Sequence, residues 1–246
     1  MTDKLVIIPT YNEKENIEKI TRKIRSLEGN FHLLIVDDGS PDGTADIVRN
    51  LQKEFSDSLF IIERNGKQGL GTAYKAGFKW GIEHKYDYIF EMDADFSHNP
   101  DDLIKLYCSC HDDDADLSIG SRYCNGIAVK NWPIGRIIMS YGASLFVRTV
   151  LNIKIFDTTA GFVCYKRSLL EALNLDKIQM KGYGFQIEMK YSAYKLGYNI
   201  KEVPIIFTDR IEGTSKMSSS IFGEAFSGVI KLKFRKIYGN KKSMKK

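Results

Sequence analysis

Two aspartates stand one residue apart at Asp93 and Asp95, directly after the apolar-rich stretch 89–92. Carboxylates this close repel unless a cation or a proton sits between them. Oxygen-rich sites suit Mg²⁺ or Mn²⁺, and Mg²⁺ commonly takes one or two carboxylates together with substrate phosphates. A DxD that follows a buried strand therefore reads as a metal bridge to a diphosphate. The bland alternative is a solvated acidic turn, and the preceding apolar stretch weighs against it. His98 stands nearby as a conceivable general base, although an exposed loop histidine is the plainer reading.

Two further polar clusters follow apolar runs: Pro9-Thr10-Tyr11-Asn12-Glu13 and Asp37-Asp38-Gly39-Ser40. Each alone is only a polar turn with a helix cap. Near the end, residues 210–216 (RIEGTSK) place Arg210 and Lys216 around a glycine. Glycine lets the backbone approach an anion, Arg and Lys pair with phosphate oxygens, and such a loop could close over substrate. Residues 112–114 read as a solvated acidic loop. The glycines of residues 66–71 have the wrong spacing for a dinucleotide turn.

The elements that must carry these residues alternate. Residues 5–8, 33–36, 59–62, 88–92 and 117–119 read as strands, the first a continuous apolar run suited to burial on both faces of a parallel sheet. Asn12 is the expected cap of the first helix, with Glu15 in capping-box position and Ile17, Ile20, Ile24 and Leu27 at helical spacing. Asp42 is expected to cap a helix through Phe55, residues 71–84 are helical, and Pro100 opens a helix to about Cys110. This alternation predicts a doubly wound α/β sheet. In such a sheet ligands bind beyond the carboxyl ends of the strands, which brings the three clusters to one rim. The second half is less regular. Residues 162–165 read as a strand, 184–196 as a helix, 200–207 as extended and 222–237 as amphipathic and basic. Residues 132–151 mix apolar and small residues with Arg136, Ser140 and Arg148.

The chain has 246 residues and a net charge of +5, enough length for a substantial core. With no linker or repeat, it reads as one domain. The four cysteines fit no zinc spacing and read as free, mostly buried thiols of a cytoplasmic protein. No signal peptide is evident, and the most apolar stretch, 134–151, is interrupted by Arg136 and Arg148. Residues 231–246 hold eight Lys or Arg and no acid; taken alone this reads first as a solvated, frayed terminus, with an anionic membrane surface or nucleic acid as the functional readings. Nucleic acid would need aromatic residues interleaved with basic ones, and that pattern is absent.

Taken in order, VIIPTYNEKENI, LLIVDDGSPDGTADI, GLGTAYKAGFKWG, EMDADFSHNP, IGSRY, FDTTAGF and RIEGTSK run from residue 6 to residue 216. Each is weak alone, but the ordered set resembles the family-2 glycosyltransferases of GT-A type, and among them the dolichol- and polyprenol-phosphate mannose synthases. The resemblance implies a mostly parallel, Rossmann-like GT-A sheet flanked by helices, with C-terminal amphipathic helices at a membrane interface. It divides the chain into a nucleotide-sugar half (1–122), an acceptor half (123–230) and the basic tail (231–246). Pro9, Tyr11, Glu13, Val36 and Asp38 would hold the nucleoside, with guanine the expected base. Asp93 and Asp95 would bind Mg²⁺ or Mn²⁺, and the Ala94 backbone would lie against the donor. Ser97 stands where many relatives carry glutamine as a further metal ligand. Its shorter side chain points to a bridging water. Arg122, Arg210 and Lys216 would contact phosphates, and Arg136 and Ser140 the acceptor's phosphate. Ala160 replaces an expected serine. The implied reaction is inverting transfer of mannose from GDP-mannose to dolichyl or polyprenyl phosphate, at the cytoplasmic face of a membrane and with a possible anchoring partner protein. The alternatives are another donor such as UDP-glucose, another acceptor, or a non-catalytic nucleotide-sugar-binding subunit. The DAD and RIEGTSK segments weigh against the last.

Overall fold

The computed structural model describes residues 3–209 and 219–241. The apolar runs become strands β1 (Lys4–Thr10), β2 (His32–Asp37), β3 (Leu59–Glu63), β4 (Tyr88–Glu91) and β5 (Leu117–Ser121). Short β6 (Val129–Lys130), β7 (Val163–Lys166), β8 (Ile200–Pro204) and short β9 (Phe207–Thr208) follow. Among the described residues they form a seven-stranded sheet of order β3-β2-β1-β4-β7-β5-β8 and a two-stranded β6-β9 sheet. Only β7 runs against its neighbours, pairing antiparallel with both β4 and β5. The extended run 200–207 divides, because the chain leaves the large sheet after Pro204 and β9 pairs in parallel with β6.

Helices α1 (Ile17–Arg25), α2 (Thr44–Gln52), α3 (Leu70–Glu83), α4 (Asp102–His111), α5 (Ile134–Leu151), α6 (Arg167–Ala172), α7 (Tyr183–Lys195) and α8 (Ser219–Phe234) accompany the strands. Both faces of the large sheet are covered. Leu5, Ile7, Leu34 and Val36 pack toward Tyr74, Phe78 and Phe185. Val6, Ile8, Leu33 and Ile35 pack toward Ile17, Ile20, Ile24, Val48 and Leu103. Successive strand residues thus enter opposite cores, which is why β1 and β2 are continuously apolar rather than alternating.

Helix α3 lies close on the sheet. A Cβ on Gly77 would sit 2.7 Å from Ile7 Cγ2, and one on Gly81 2.8 Å from Ile89 Cδ1. Gly77→Val is therefore expected to cost about 1–3 kcal/mol in overpacking, read as a melting temperature lower by roughly 2–12 °C. An unchanged melting temperature would contradict the close approach.

Two helix starts differ from expectation. Asn12 and Glu15 do not cap α1, whose start is set by Asn16 and Ile17 N–H donating to Glu13 O. Asn12 instead has φ 59°, its N–H donates to Ser40 Oγ (3.0 Å), and Glu13 N–H donates to Thr44 Oγ1 (3.0 Å). The neighbouring loop has captured the donors that would begin a helix. Asp42 binds Thr44 N–H (3.0 Å) and also Lys14 N–H (3.1 Å), so it joins two loops ahead of a shorter α2.

Residues 134–151 form one helix, α5, long and apolar enough by length and composition to cross a membrane, with mean hydropathy 1.3. Only Ser144, Val147 and Leu151 are buried. The helix is nonetheless tied to the body of the protein: Tyr123 OH donates to Ser140 Oγ (2.7 Å), and Arg136 donates to Asp209 (2.8 Å). Helix α8 packs on α5 through stacked Phe146 and Phe226, 4.2 Å apart. Arg235, just past α8, donates to Gln179 (2.9 Å) and pairs with buried Glu188 on α7. All four cysteines are free, and Cys110 and Cys164 are buried.

Candidate active site

Register brings the polar clusters to one edge. Thr10 at the end of β1 lies opposite Asp37 at the end of β2, and Pro9 opposite Val36. Ile7 lies opposite Glu91 at the end of β4. The segments 9–13, 37–40 and 93–97 therefore leave the sheet at the same carboxyl rim. Asp37 is structural: it accepts Thr10 Oγ1 (2.8 Å), Ser40 Oγ (2.6 Å) and Ser40 N–H (2.8 Å).

Asp38 is buried, and its carboxylate is already engaged. It accepts Arg64 Nε–H at 2.6 Å and the Gln68 and Gly69 N–H groups at 3.0 and 3.3 Å. Arg64 continues to Thr72 Oγ1 (2.9 Å). Asp38 thus fixes the glycine-containing turn 66–69 against the rim. Sequence reasoning missed Arg64, a lone cation with no local pattern. Tyr11 faces Lys67, whose Nζ lies 5.1 Å from the ring centroid. Glu13 Oε2 accepts Asn16 Nδ2–H (3.1 Å).

In the DxD segment Ala94 is buried between two partly exposed aspartates. Ser97 N–H donates to Asp95 Oδ1 (3.1 Å). The Ser97 hydroxyl is buried with no protein hydrogen-bond partner, an orphaned oxygen that calls for a ligand or a water. Among the described residues no three His, Cys, Asp or Glu side chains group to hold an ion by themselves. Asp93, Asp95 and Ser97 offer only oxygen donors, the chemistry that suits Mg²⁺ or Mn²⁺ at a diphosphate. The residues present fit such an ion.

His98 is not an exposed loop residue. It is buried, stacked on Phe162 at 4.9 Å and edge-on to Phe207 at 5.3 Å. Burial pulls its pKa down to about 4, so the ring is neutral near pH 7. Its Nδ1 accepts the Asp93 N–H at 3.5 Å.

Beyond β5 lies a second charged centre. Arg122 donates through Nε and Nη2 to Asp157, both at 2.7 Å, and through Nη2 to Thr159 Oγ1 at 2.9 Å. The rings of Tyr123, Trp132 and Phe207 surround the guanidinium at 5.1, 5.5 and 5.6 Å. Burial raises the Asp157 carboxyl, but the Arg122 charge and hydrogen bonds outweigh it and hold Asp157 below the ordinary carboxylate range. Arg136 stacks over Trp132 at 4.0 Å, and Ser140 accepts the Tyr123 hydroxyl. Arg122, Arg136 and Ser140 are linked in this way through Tyr123 and Trp132. Arg210 and Lys216 lie outside the described residues. Asp157 lies in the FDTTAGF segment but was given no role there, its partner Arg122 being 35 residues away, and Trp132 was not singled out in the sequence.

An open, mostly parallel sheet with paired aspartates at its carboxyl rim and one antiparallel strand beside them is the GT-A architecture of nucleotide-sugar-dependent glycosyltransferases. The chain belongs to glycosyl transferase family 2, whose profile matches residues 5–173. A polyprenol monophosphomannose synthase of Mycolicibacterium smegmatis is 45% identical over 221 residues, spanning 90% of this chain and 83% of that protein. An undecaprenyl-phosphate mannosyltransferase of Micrococcus luteus is 44% identical over 225 residues, spanning 92% and 91%. In fold, the chain is similar to glucosyl-3-phosphoglycerate synthase of Mycobacterium tuberculosis crystallised with Mn²⁺, UDP-glucose and phosphoglyceric acid. The TM-score is 0.67 at 17% identity, over 94% of this chain and 79% of that one.

Proposed function

We propose that this protein transfers mannose, with inversion, from GDP-mannose to a polyprenyl or dolichyl phosphate. The two mannosyltransferase relatives, both similar over nine-tenths of this chain, support the sugar and the lipid class. The observation that carries the acceptor assignment is the placing of Arg136 and Ser140 on α5, one turn apart on one side. The same helix exposes Ile134 (77%) and Ile138 (66%). A cation and a hydroxyl at the root of an exposed apolar helix suit a phosphate that carries an apolar chain.

Asp93, Asp95 and Ser97 would hold the divalent cation, which when bound supplies neutralisation of the leaving diphosphate. Pro9, Tyr11, Glu13, Val36 and Asp38 line the nucleoside side, Asp38 by holding the 64–69 turn. Arg122 would contact the phosphates, as would Arg210 and Lys216, which lie outside the described residues. An acceptor phosphate is anionic near neutral pH, so direct displacement at the anomeric carbon needs no strong base. The neutral, buried His98 accords with that: its role is to accept the Asp93 N–H and steady the DxD turn. Catalysis then rests on positioning and charge stabilisation.

The chain acts from the surface of a membrane, at its cytoplasmic face. The apolar residues Ile134 and Ile138 of α5 and Phe234 of α8 (81% exposed) would enter the interface, with Lys231 and Lys233 at anionic headgroups. Flotation of the pure protein with anionic liposomes tests this. Co-flotation is expected, whereas failure to float unless another membrane protein is added would assign the anchoring to a partner. Arg136→Ala is expected to raise KM for the lipid phosphate by roughly tenfold, as for loss of one charge-assisted hydrogen bond worth about 1.5 kcal/mol, and KM for the nucleotide sugar by less. The opposite ordering would remove Arg136 from the acceptor site.

The reading as a whole is tested by supplying labelled GDP-mannose or UDP-glucose with Mn²⁺ and polyprenyl phosphate, then extracting with organic solvent. Label from GDP-mannose should enter the organic phase. Label from UDP-glucose alone would change the donor, and label from neither would overturn the assignment.

A further inference from the structure

Lys190, on α7, is fully buried with no role in the chemistry above. Its Nζ donates to Ala160 O at 2.6 Å, and to Gln186 Oε1 and Gln186 O at 3.3 and 3.4 Å. Gln186 Nε2–H donates in turn to Glu91 Oε2 at 2.6 Å, and Tyr165 OH to Glu91 Oε1 at 3.4 Å. Burying an ammonium is costly, and an unbranched aliphatic side chain would fill the same space without that cost. What the ammonium adds is a fixed bond to one carbonyl.

That carbonyl closes the turn that holds Arg122. At the near end of the turn, Glu202 accepts the Phe156 and Asp157 N–H groups at 2.7 and 2.9 Å. At the far end, Lys190 holds Ala160 O. Between the two anchors, Asp157 and Thr159 present their oxygens to the Arg122 guanidinium. Glu91, Lys190, Asp157 and Arg122 form a row of buried ionisable groups; burial pushes the Glu91 carboxyl up to about 8, and Lys190 lies close enough to feel both Glu91 and Asp157. The row runs below the rim from the strand that leads into the DxD to the cation beyond β5.

We propose that Lys190 is a positioning residue: by holding Ala160 O it fixes the 157–160 turn and thereby the place of the Arg122 guanidinium at the active-site rim. Its effect on turnover rests on the reading that Arg122 faces phosphate. Its effect on Arg122 itself does not.

Two readouts on the full chain keep these apart. The first needs no substrate: exchange of the Arg122 Nε–H by ¹⁵N NMR, its signal assigned by loss in Arg122→Lys. Lys190→Met should speed this exchange by roughly tenfold or more, and Lys190→Arg, which keeps a donor, should restore it substantially. Unchanged exchange in Lys190→Met would overturn the proposal. Should Lys190→Met fail to fold, Lys190→Gln is read the same way. The second readout is lipid-mannosyl transfer. Lys190→Met should lower kcat per folded molecule by roughly 10- to 100-fold, the cost of an ångström-scale misplacement, and have little further effect in an Arg122→Met background. A lower melting temperature with both Arg122 exchange and kcat intact would make Lys190 a packing residue only, whereas faster exchange with kcat intact, or with effects that add in the double variant, would remove the contribution to turnover and keep the positioning role. Faster exchange in a protein whose wild type transfers no mannose would sink the functional reading and leave the positioning role standing.

Discussion

Asp95→Ala is expected to reduce transfer by at least about 100-fold, the scale of losing a principal electrostatic stabiliser of a developing charge. Its melting temperature should stay within a few degrees of wild type. Asp95 sits partly exposed in the turn after β4, and its Oδ1 accepts the N–H of Ser97 two residues on. Truncation there opens no core cavity, and substitutions away from cores and buried networks usually change stability little. The functional loss follows because Asp93 and Ser97 alone offer one carboxylate and one hydroxyl, too few hard oxygens for Mg²⁺ or Mn²⁺ at a diphosphate. Kinetics at saturating donor and thermal melting of the same preparation check both halves. Near-normal turnover of the pure variant would count against the metal assignment.

Asp157→Ala should act in the opposite way, through the fold. Asp157 is fully buried and takes three hydrogen bonds from Arg122, one of them from the backbone N–H at 3.0 Å. Removing one partner of a buried pair leaves an uncompensated charge and costs about 3–5 kcal/mol. For a chain of this size that is a drop of roughly 6–20 °C in melting temperature. Arg122→Met combined with Asp157→Leu removes both charges and should recover much of the loss, since apolar replacement of a buried pair is often near neutral. A single variant as stable as wild type would show that the pair contributes nothing. The pH dependence has a definite sign. The folded pKa of Asp157 lies below its unfolded value, so its stabilisation is complete above about pH 4 and is lost as pH falls through the lower folded value. The wild type should therefore lose more stability in acid than the doubly apolar variant.

The rim was legible in the sequence because β1, β2 and β4 are apolar runs that each stop at a polar cluster, and parallel topology leaves one edge for all three. Register then made neighbours of Thr10 and Asp37. What stayed hidden depends on partners distant in the chain. Asp38 read as a nucleoside-side residue, but its hold on Arg64, from the loop after β3, was not legible. His98 read as exposed because nothing local buries it; Phe162 and Phe207 do so from other elements. The expected cap at Asn12 failed because Ser40 Oγ and Thr44 Oγ1 took the N–H groups of Asn12 and Glu13. Strands β6 and β9, two residues each, are too short to carry a periodic signal. Of the irregular stretch 132–151, residues 134–151 became one helix whose arginines find partners, Arg136 in Asp209 and Trp132 and Arg148 over Phe156 at 4.2 Å.

The central proposal is that Asp93 and Asp95 would hold a divalent cation that neutralises the leaving diphosphate. The most direct measurement is transfer of labelled mannose to polyprenyl phosphate before chelation, in excess EDTA, and after Mg²⁺ or Mn²⁺ is restored beyond the chelator. Product should vanish with the chelator and return with the metal in wild type, and stay at background throughout in Asp95→Ala. Undiminished product in the chelator would contradict the account.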